Sequence, residues 1–266
     1  MKKILTLCMT TAIVLSTNAL AFDFGSTPSK ISAHYVTAAQ SVDDVKAKLK
    51  ANGFEILATT KILKGHNVVT ITNAELQATN TYMATLQVSV SDSEVRVQNP
   101  SYLGAAYLGD KYKYGQFKAT VNALEKALGS FTGSKQKAEF SDLGDFRFMF
   151  GMPKLADIIT VKEGKGLAEK AKANTKKVAY TLTLPNGVTL VGHKLRGKTN
   201  KFLKTLGQEK NAQVLPYESM VFANAVQMLD PKYYLALSLP LLSMGEFMEI
   251  ASVPDQIEKD IKRAYK

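Results

Sequence analysis

Apolar positions along this chain switch between two periods. Over 31–37, 54–62, 67–72, 82–90 and 94–97, β-branched and aromatic residues cluster or alternate with polar ones, as half-buried strands require. Between these runs the period lengthens to that of a helix. Val42, Val45 and Leu49 share one face while Lys46, Lys48 and Lys50 lie elsewhere; Ser41 and Asp44 stand at capping spacing, and Gly53 marks the end. Ser91-Asp92-Ser93 turns one strand into the next, and Pro100 opens a short helix. Phe117, Val121, Leu124 and Leu128 then define an amphipathic helix that stops at Gly129. The predicted order is strand, helix, four strands, helix.

The second half repeats the outline. Residues 157–161 read as a strand and 167–174 as a helix; Pro185-Asn186-Gly187 turns a hairpin with Thr181, Thr183, Val188 and Leu190 on its arms. Met220 to Leu229 reads as a second hairpin. Ser252 and Asp255 are placed to cap a last helix carrying Ile257, Ile261 and Tyr265, with Pro254 in its first turn. Phe146, Phe148 and Phe150 alternate as in a strand within the connecting segment.

Short motifs recur with this outline. Asn99-Pro100-Ser101-Tyr102 followed by Gly115-Gln116-Phe117 returns as Asp230-Pro231-Lys232-Tyr233 followed by Gly245-Glu246-Phe247. Lys48-Leu49-Lys50-Ala51-Asn52 returns as Lys170-Ala171-Lys172-Ala173-Asn174. A period of roughly 120 to 130 residues points to an internal duplication. The predicted class is α+β: two copies of a small β-α-β(4)-α-like domain, with antiparallel sheets and helices on one face. The expected boundaries are a signal peptide over 1–21, a linker over 22–30, repeats over 31–130 and 153–266, and a connection over 131–152.

The strand–helix–strands outline, the capped first helix, Thr72-Asn73-Ala74-Glu75-Leu76 and Val95-Arg96-Val97-Gln98-Asn99-Pro100 resemble the DUF302 family of small α+β domains. The resemblance covers both repeats. The second departs from it, with Asn200-Lys201-Phe202-Leu203 where the first has Asn73-Ala74-Glu75-Leu76. It implies a fold and a binding or structural role, and it supplies no catalytic residue set.

Lys2 and Lys3, the apolar run Ile4 to Leu15 and Ala19-Leu20-Ala21 form the three parts of a cleavable export signal, with Phe22 as the new N-terminus. The lone Cys8 falls inside the apolar run, so the exported chain would hold no thiol, disulfide or thiolate-bound metal. A periplasmic location follows. Net charge is +11, or +9 once the two lysines leave, which favours anionic partners such as head groups, cell-wall polymers or acidic proteins. The lysines are distributed along helices rather than gathered in one block. The location, not the charge, argues against nucleic acid, and no later apolar run is long enough to span a membrane.

Candidate chemistry is sparse. Gly65-His66 and Gly192-His193 are each followed, six residues after the histidine, by a Thr-Asn pair, Thr72-Asn73 and Thr199-Asn200. Facing repeats could bring His66 and His193 together to share a metal or a proton, or both could be ordinary strand-edge residues. Tyr102 and Tyr233 could present phenols to a shared cleft or pack on the sheets. Met244 and Met248, at helical spacing in a methionine-rich half, suit Cu(I) ligation or core filling. No G-x-S-x-G occurs, Gly164-Lys165-Gly166 lacks the rest of a phosphate loop, and Asp43-Asp44 is explained by helix capping. The expectation is an exported protein that binds a small ligand or an envelope partner without a resident cofactor. The alternative is a copper- or zinc-handling protein or enzyme using the histidines or methionines.

Overall fold

A computed structural model describes residues 24–266, so the signal-like segment lies outside the described residues. The fold is α+β with antiparallel sheets. Strands β1 (Lys30–Ser32) and β2 (His34–Ala38) lead into helix α1 (Val42–Ala51), then β3 (Glu55–Leu63), β4 (His66–Thr72) and short α2 (Ala74–Gln77). Strands β5 (Leu86–Ser91) and β6 (Glu94–Gln98) precede α3 (Pro100–Leu108), α4 (Lys118–Leu128), β7 (Thr132–Gly133) and β8 (Lys137–Glu139). The second half runs β9 (Ile158–Glu163), α5 (Leu167–Ala173), β10 (Val178–Thr183), β11 (Thr189–His193), α6 (Gly197–Asn200) and α7 (Phe202–Thr205). It closes with β12 (Tyr217–Val221), β13 (Ala225–Leu229), α8 (Pro231–Ser238), α9 (Met244–Glu249) and α10 (Val253–Lys262).

The first sheet has the order β3-β4-β5-β6-β2-β7 and the second β10-β11-β12-β13-β9; β1 and β8 pair separately. Apart from β7, the two orders match position by position. The first half's α1 packs on α4 and on β3 and β4, and the second half's α10 packs on β9 and α8.

Alternation along the strands serves two buried faces. In β5, the Gln87 side chain meets Thr70 of β4, Tyr180 of β10 and Glu218 of β12, so this polar face looks toward the second sheet. Leu86, Val88 and Val90 therefore point the opposite way, toward the helices, and all three are buried. Each half also lends a turn to the other. The 3-10 turn at 82–84 reaches β12, and Tyr82 Oη donates to the Gln227 carbonyl at 3.2 Å; the turn at 209–214 covers β4, β5 and β6, and Arg96 donates to Asn211 Oδ1 at 2.6 Å. The larger apolar cluster accordingly contains buried residues of both halves, and so does the smaller one, Ala84 with Leu182, Leu184, Leu190 and Met220.

Several local expectations need correction. The run 82–90 is broken: Thr81 caps the 3-10 turn and the strand begins only at Leu86. Phe146, Phe148 and Phe150 form no strand. Phe146 packs edge-on against Tyr233, Phe148 against Phe247, and Phe150 is 97 % exposed. Ser252 makes no side-chain cap for α10, whereas Ser243 and Glu246 form a full capping box for α9. The Pro-x-Tyr pair does occupy equivalent places, Pro100 and Pro231 each opening a helix behind a capping Asn99 or Asp230. The Gly-x-Phe pair does not: Phe117 precedes α4, while Phe247 lies within α9.

Candidate functional site

Where the β3 edge of the first sheet packs on β10 and α6, the surface dips into a cavity of about 260 Å³. Residues 59–62 form one wall; His193 to Leu195, Asn200 and Leu215-Pro216 form the rest. Ile62, Leu195, Leu215 and Pro216 make it partly apolar, and Lys61 and Lys194 stand at it. Three lining residues are buried yet keep a polar atom without a hydrogen-bond partner in the protein: Thr60 Oγ1, His193 Nδ1 and Asn200 Oδ1. Buried polar atoms are nearly always paired, and three of the unpartnered ones among the described residues belong to residues that line this one hollow.

Local structure holds each of them in place. Thr60 sits in β3 opposite Val68 of β4. Asn200 ends α6 and donates its amide to the Ile62 carbonyl at 3.2 Å, which fixes its carbonyl oxygen as the free acceptor. His193 ends β11; its Nε2 is 2.8 Å from Ser219 Oγ, which is 3.0 Å from Tyr265 Oη. Burial pushes the His193 imidazole down to about 3, so the ring is neutral at physiological pH. One ring nitrogen then donates and the other accepts. If Ser219 donates to Nε2, Nδ1 carries a proton to offer; if Nε2 donates, Nδ1 accepts. The volume suits a molecule smaller than a typical drug-sized ligand.

A second polar cluster lies between the sheets. Glu218 of β12 accepts from Thr85 and Tyr180 and, at 3.3 Å, from Gln87 Nε2. Burial raises its carboxyl to about 7 against the lowering effect of those bonds, while burial and the neighbouring Glu218 push the Tyr180 phenol far up. His34 of β2 is also buried and lowered to about 3, first by desolvation and then by the Arg96 charge.

The remaining sequence candidates lie elsewhere. His66 opens β4 whereas His193 ends β11, which places them at opposite ends of strands that hold equivalent positions in their sheets. The two histidines thus hold non-equivalent positions in their strands. Tyr102 and Tyr233 are sealed rather than set in a cleft. Tyr102 Oη donates to the Leu237 carbonyl of α8 at 2.7 Å, and the Tyr233 hydroxyl is buried with no partner in the protein. Met244 and Met248 share a face of α9 but are 39 % and 63 % exposed, so they are not core fillers; Met220 and Met228 are. Among the described residues, no group of three His, Cys, Asp or Glu could hold a metal ion, and no helix is long and apolar enough to cross a membrane.

Sequence reasoning missed Thr60, Asn200, His34 and Glu218. Asn200 had a signal, the Thr-Asn pair six residues after His193. Thr60 and Glu218 had none, because alternation marks their strand positions as ordinary polar ones. The chain matches no family model, no curated protein and no solved structure.

Proposed function

We propose that this chain is an exported binding protein, built from two copies of a DUF302-like unit, that holds a small polar ligand between Thr60, His193 and Asn200. The observation that carries the reading is that three residues lining one cavity, whose walls come from both halves, are buried and each keep a polar atom without a partner in the protein. A ligand with complementary donors and acceptors would satisfy them, and such a site belongs at the junction of two units. The matching strand orders support the duplication, and the charged n-region, apolar run and Ala19-Leu20-Ala21 support export. A neutral, tethered imidazole suits recognition by hydrogen bonding more than by charge.

Native mass spectrometry of the protein isolated from its own cell envelope tests this. The parent should carry a non-covalent adduct, and the isosteric pair Thr60→Val and Asn200→Leu should stay folded and lose it. A bare parent mass, with only ordered water in the cavity of a crystal structure, would overturn the reading.

A further inference from the structure

The concavity continues past His193. Lys194 and Leu195 also line a neighbouring hollow of about 200 Å³, ringed by Lys176, Lys177, Arg196 and Arg263. Its one lining carboxylate, Asp260, is already engaged: it accepts from the Arg196 backbone N–H at 3.0 Å and from Thr199 Oγ1 at 2.7 Å, pairs with the Arg196 guanidinium, and has Arg263 at 3.9 Å. Lys177 Nζ donates to the Arg263 carbonyl at 2.7 Å and Lys194 Nζ to the Thr175 carbonyl at 2.9 Å. Those neutral carbonyls position the ammonium groups and leave their charge uncancelled.

The cations are concentrated in the chain as well, although no run of them forms a block. Residues 165–204 hold ten Lys or Arg and a single acid, Glu169, so this segment carries +9 of the chain's +11. Packing of α5 on β10, and of α6 on β3 and α10, gathers part of that charge around the two adjoining hollows.

We propose that the ligand of the polar cavity is a small organic anion. Its uncharged polar part sits among Thr60, His193 and Asn200, and its phosphate or carboxylate group sits on the cationic hollow beside Lys194. The assignment rests on the binding reading above. Clustered cations in a concavity focus an attractive field on an anion, and the lysine ammoniums match phosphate or carboxylate oxygens. A merely solvated basic surface would lack the buried, unpartnered polar atoms next door.

The full exported chain is titrated calorimetrically with pyrophosphate and, separately, with citrate, at low and at physiological salt. The two anions distinguish phosphate from carboxylate selectivity. Lys176→Glu with Lys194→Glu is compared with Lys50→Glu with Lys126→Glu, an equal charge change on α1 and α4. At least one anion should bind, with affinity falling as salt rises; the hollow pair should weaken it about tenfold or more and the control pair about twofold at most. If Lys194→Glu disturbs folding through its tie to Thr175, Lys176→Glu alone carries the comparison. Equal weakening by both pairs, or binding of neither anion at low salt, would overturn the proposal. An uncharged ligand recovered from the cavity by native mass spectrometry would overturn it too, while leaving the binding reading intact.

Discussion

Thr72-Asn73 sits at the end of β4, the same dipeptide Thr199-Asn200 lies in α6 beyond the equivalent strand β11, and the two halves use it differently. In the first half the pair is structurally spent. Asn73 Oδ1 caps α2 by accepting from Leu76 N–H at 2.9 Å, its amide donates to Thr120 Oγ1 at 2.9 Å, and Thr72 donates to the Ala84 carbonyl at 2.6 Å. In the second half, Lys194-Leu195-Arg196 intervenes between strand and helix. Thr199 then reaches Asp260, and Asn200 crosses to the other half, bonds the Ile62 carbonyl and leaves its own oxygen without a protein partner. A linker longer by two residues thus separates a helix cap from a candidate binding group.

The sharpest test of the pairing between halves is acid. His34 and His193 belong to different sheets, and burial lowers both to about 3, against about 6.5 in an unfolded chain. The folded state refuses the proton that the unfolded state accepts, so each contributes stability that is present above about pH 6.5 and lost as pH falls toward 3. By pH 4 the loss should be on the order of 3 kcal/mol for each histidine. Urea unfolding at pH 7 and pH 4 checks this: His34→Gln and His193→Gln should each remove about half of the histidine share. An unchanged acid slope in either variant would mean that its imidazole already titrates in the folded protein.

Glu218 should act in the opposite direction. Its folded carboxyl titrates at about 7 against an unfolded value near 4.3, so the folded state holds the extra proton, and stability falls as pH rises through that window. Because the residue is only partly buried, the effect should be about 1–3 kcal/mol. Glu218→Gln should be more stable than the parent at pH 8, with the gap closing by pH 5. A constant gap across that range would place the carboxyl's titration elsewhere.

Replacing the two asparagines should sharpen the comparison further. Asn73→Ala removes a cap and a side-chain bond and should cost about 1–2 kcal/mol. Asn200→Ala removes one long bond but also an unpartnered acceptor, and should cost less than about 1 kcal/mol. Chemical denaturation without ligand measures both; a larger cost at Asn200 would make it a structural residue. The smallest contrast concerns the tyrosines. Tyr102→Phe loses the bond to Leu237 and should cost about 0.5–1.5 kcal/mol, while Tyr233→Phe, whose hydroxyl has no protein partner, should be close to neutral.

Periodicity carried much of the fold. The Ser41 cap, the helix ending at Gly129, the hairpin at Asn186-Gly187 and the paired Pro-x-Tyr helices all stand where local spacing puts them, because a cap, a turn or an amphipathic face is decided within a few residues. The failures share a cause. Phe146, Phe148 and Phe150 alternate, but in the absence of a neighbouring strand edge they pack on or stand away from helices of the second half. Alternation in β5 marks Gln87 as solvent-facing in the same way as any exposed polar residue, and nothing local tells that a second sheet covers it.

The sequence by itself determined the class of fold, the element order, the positive charge and the absence of any cysteine beyond Cys8, since each depends on composition or on neighbours a few positions away. Only the tertiary structure decided that polar strand faces would be buried between two sheets, that His66 and His193 would lie at opposite strand ends, and that Thr60 would meet His193 and Asn200. Those outcomes turn on how the β3 edge docks against the second half. Docking sums weak contacts from residues more than a hundred positions apart, and a local pattern holds no record of that sum.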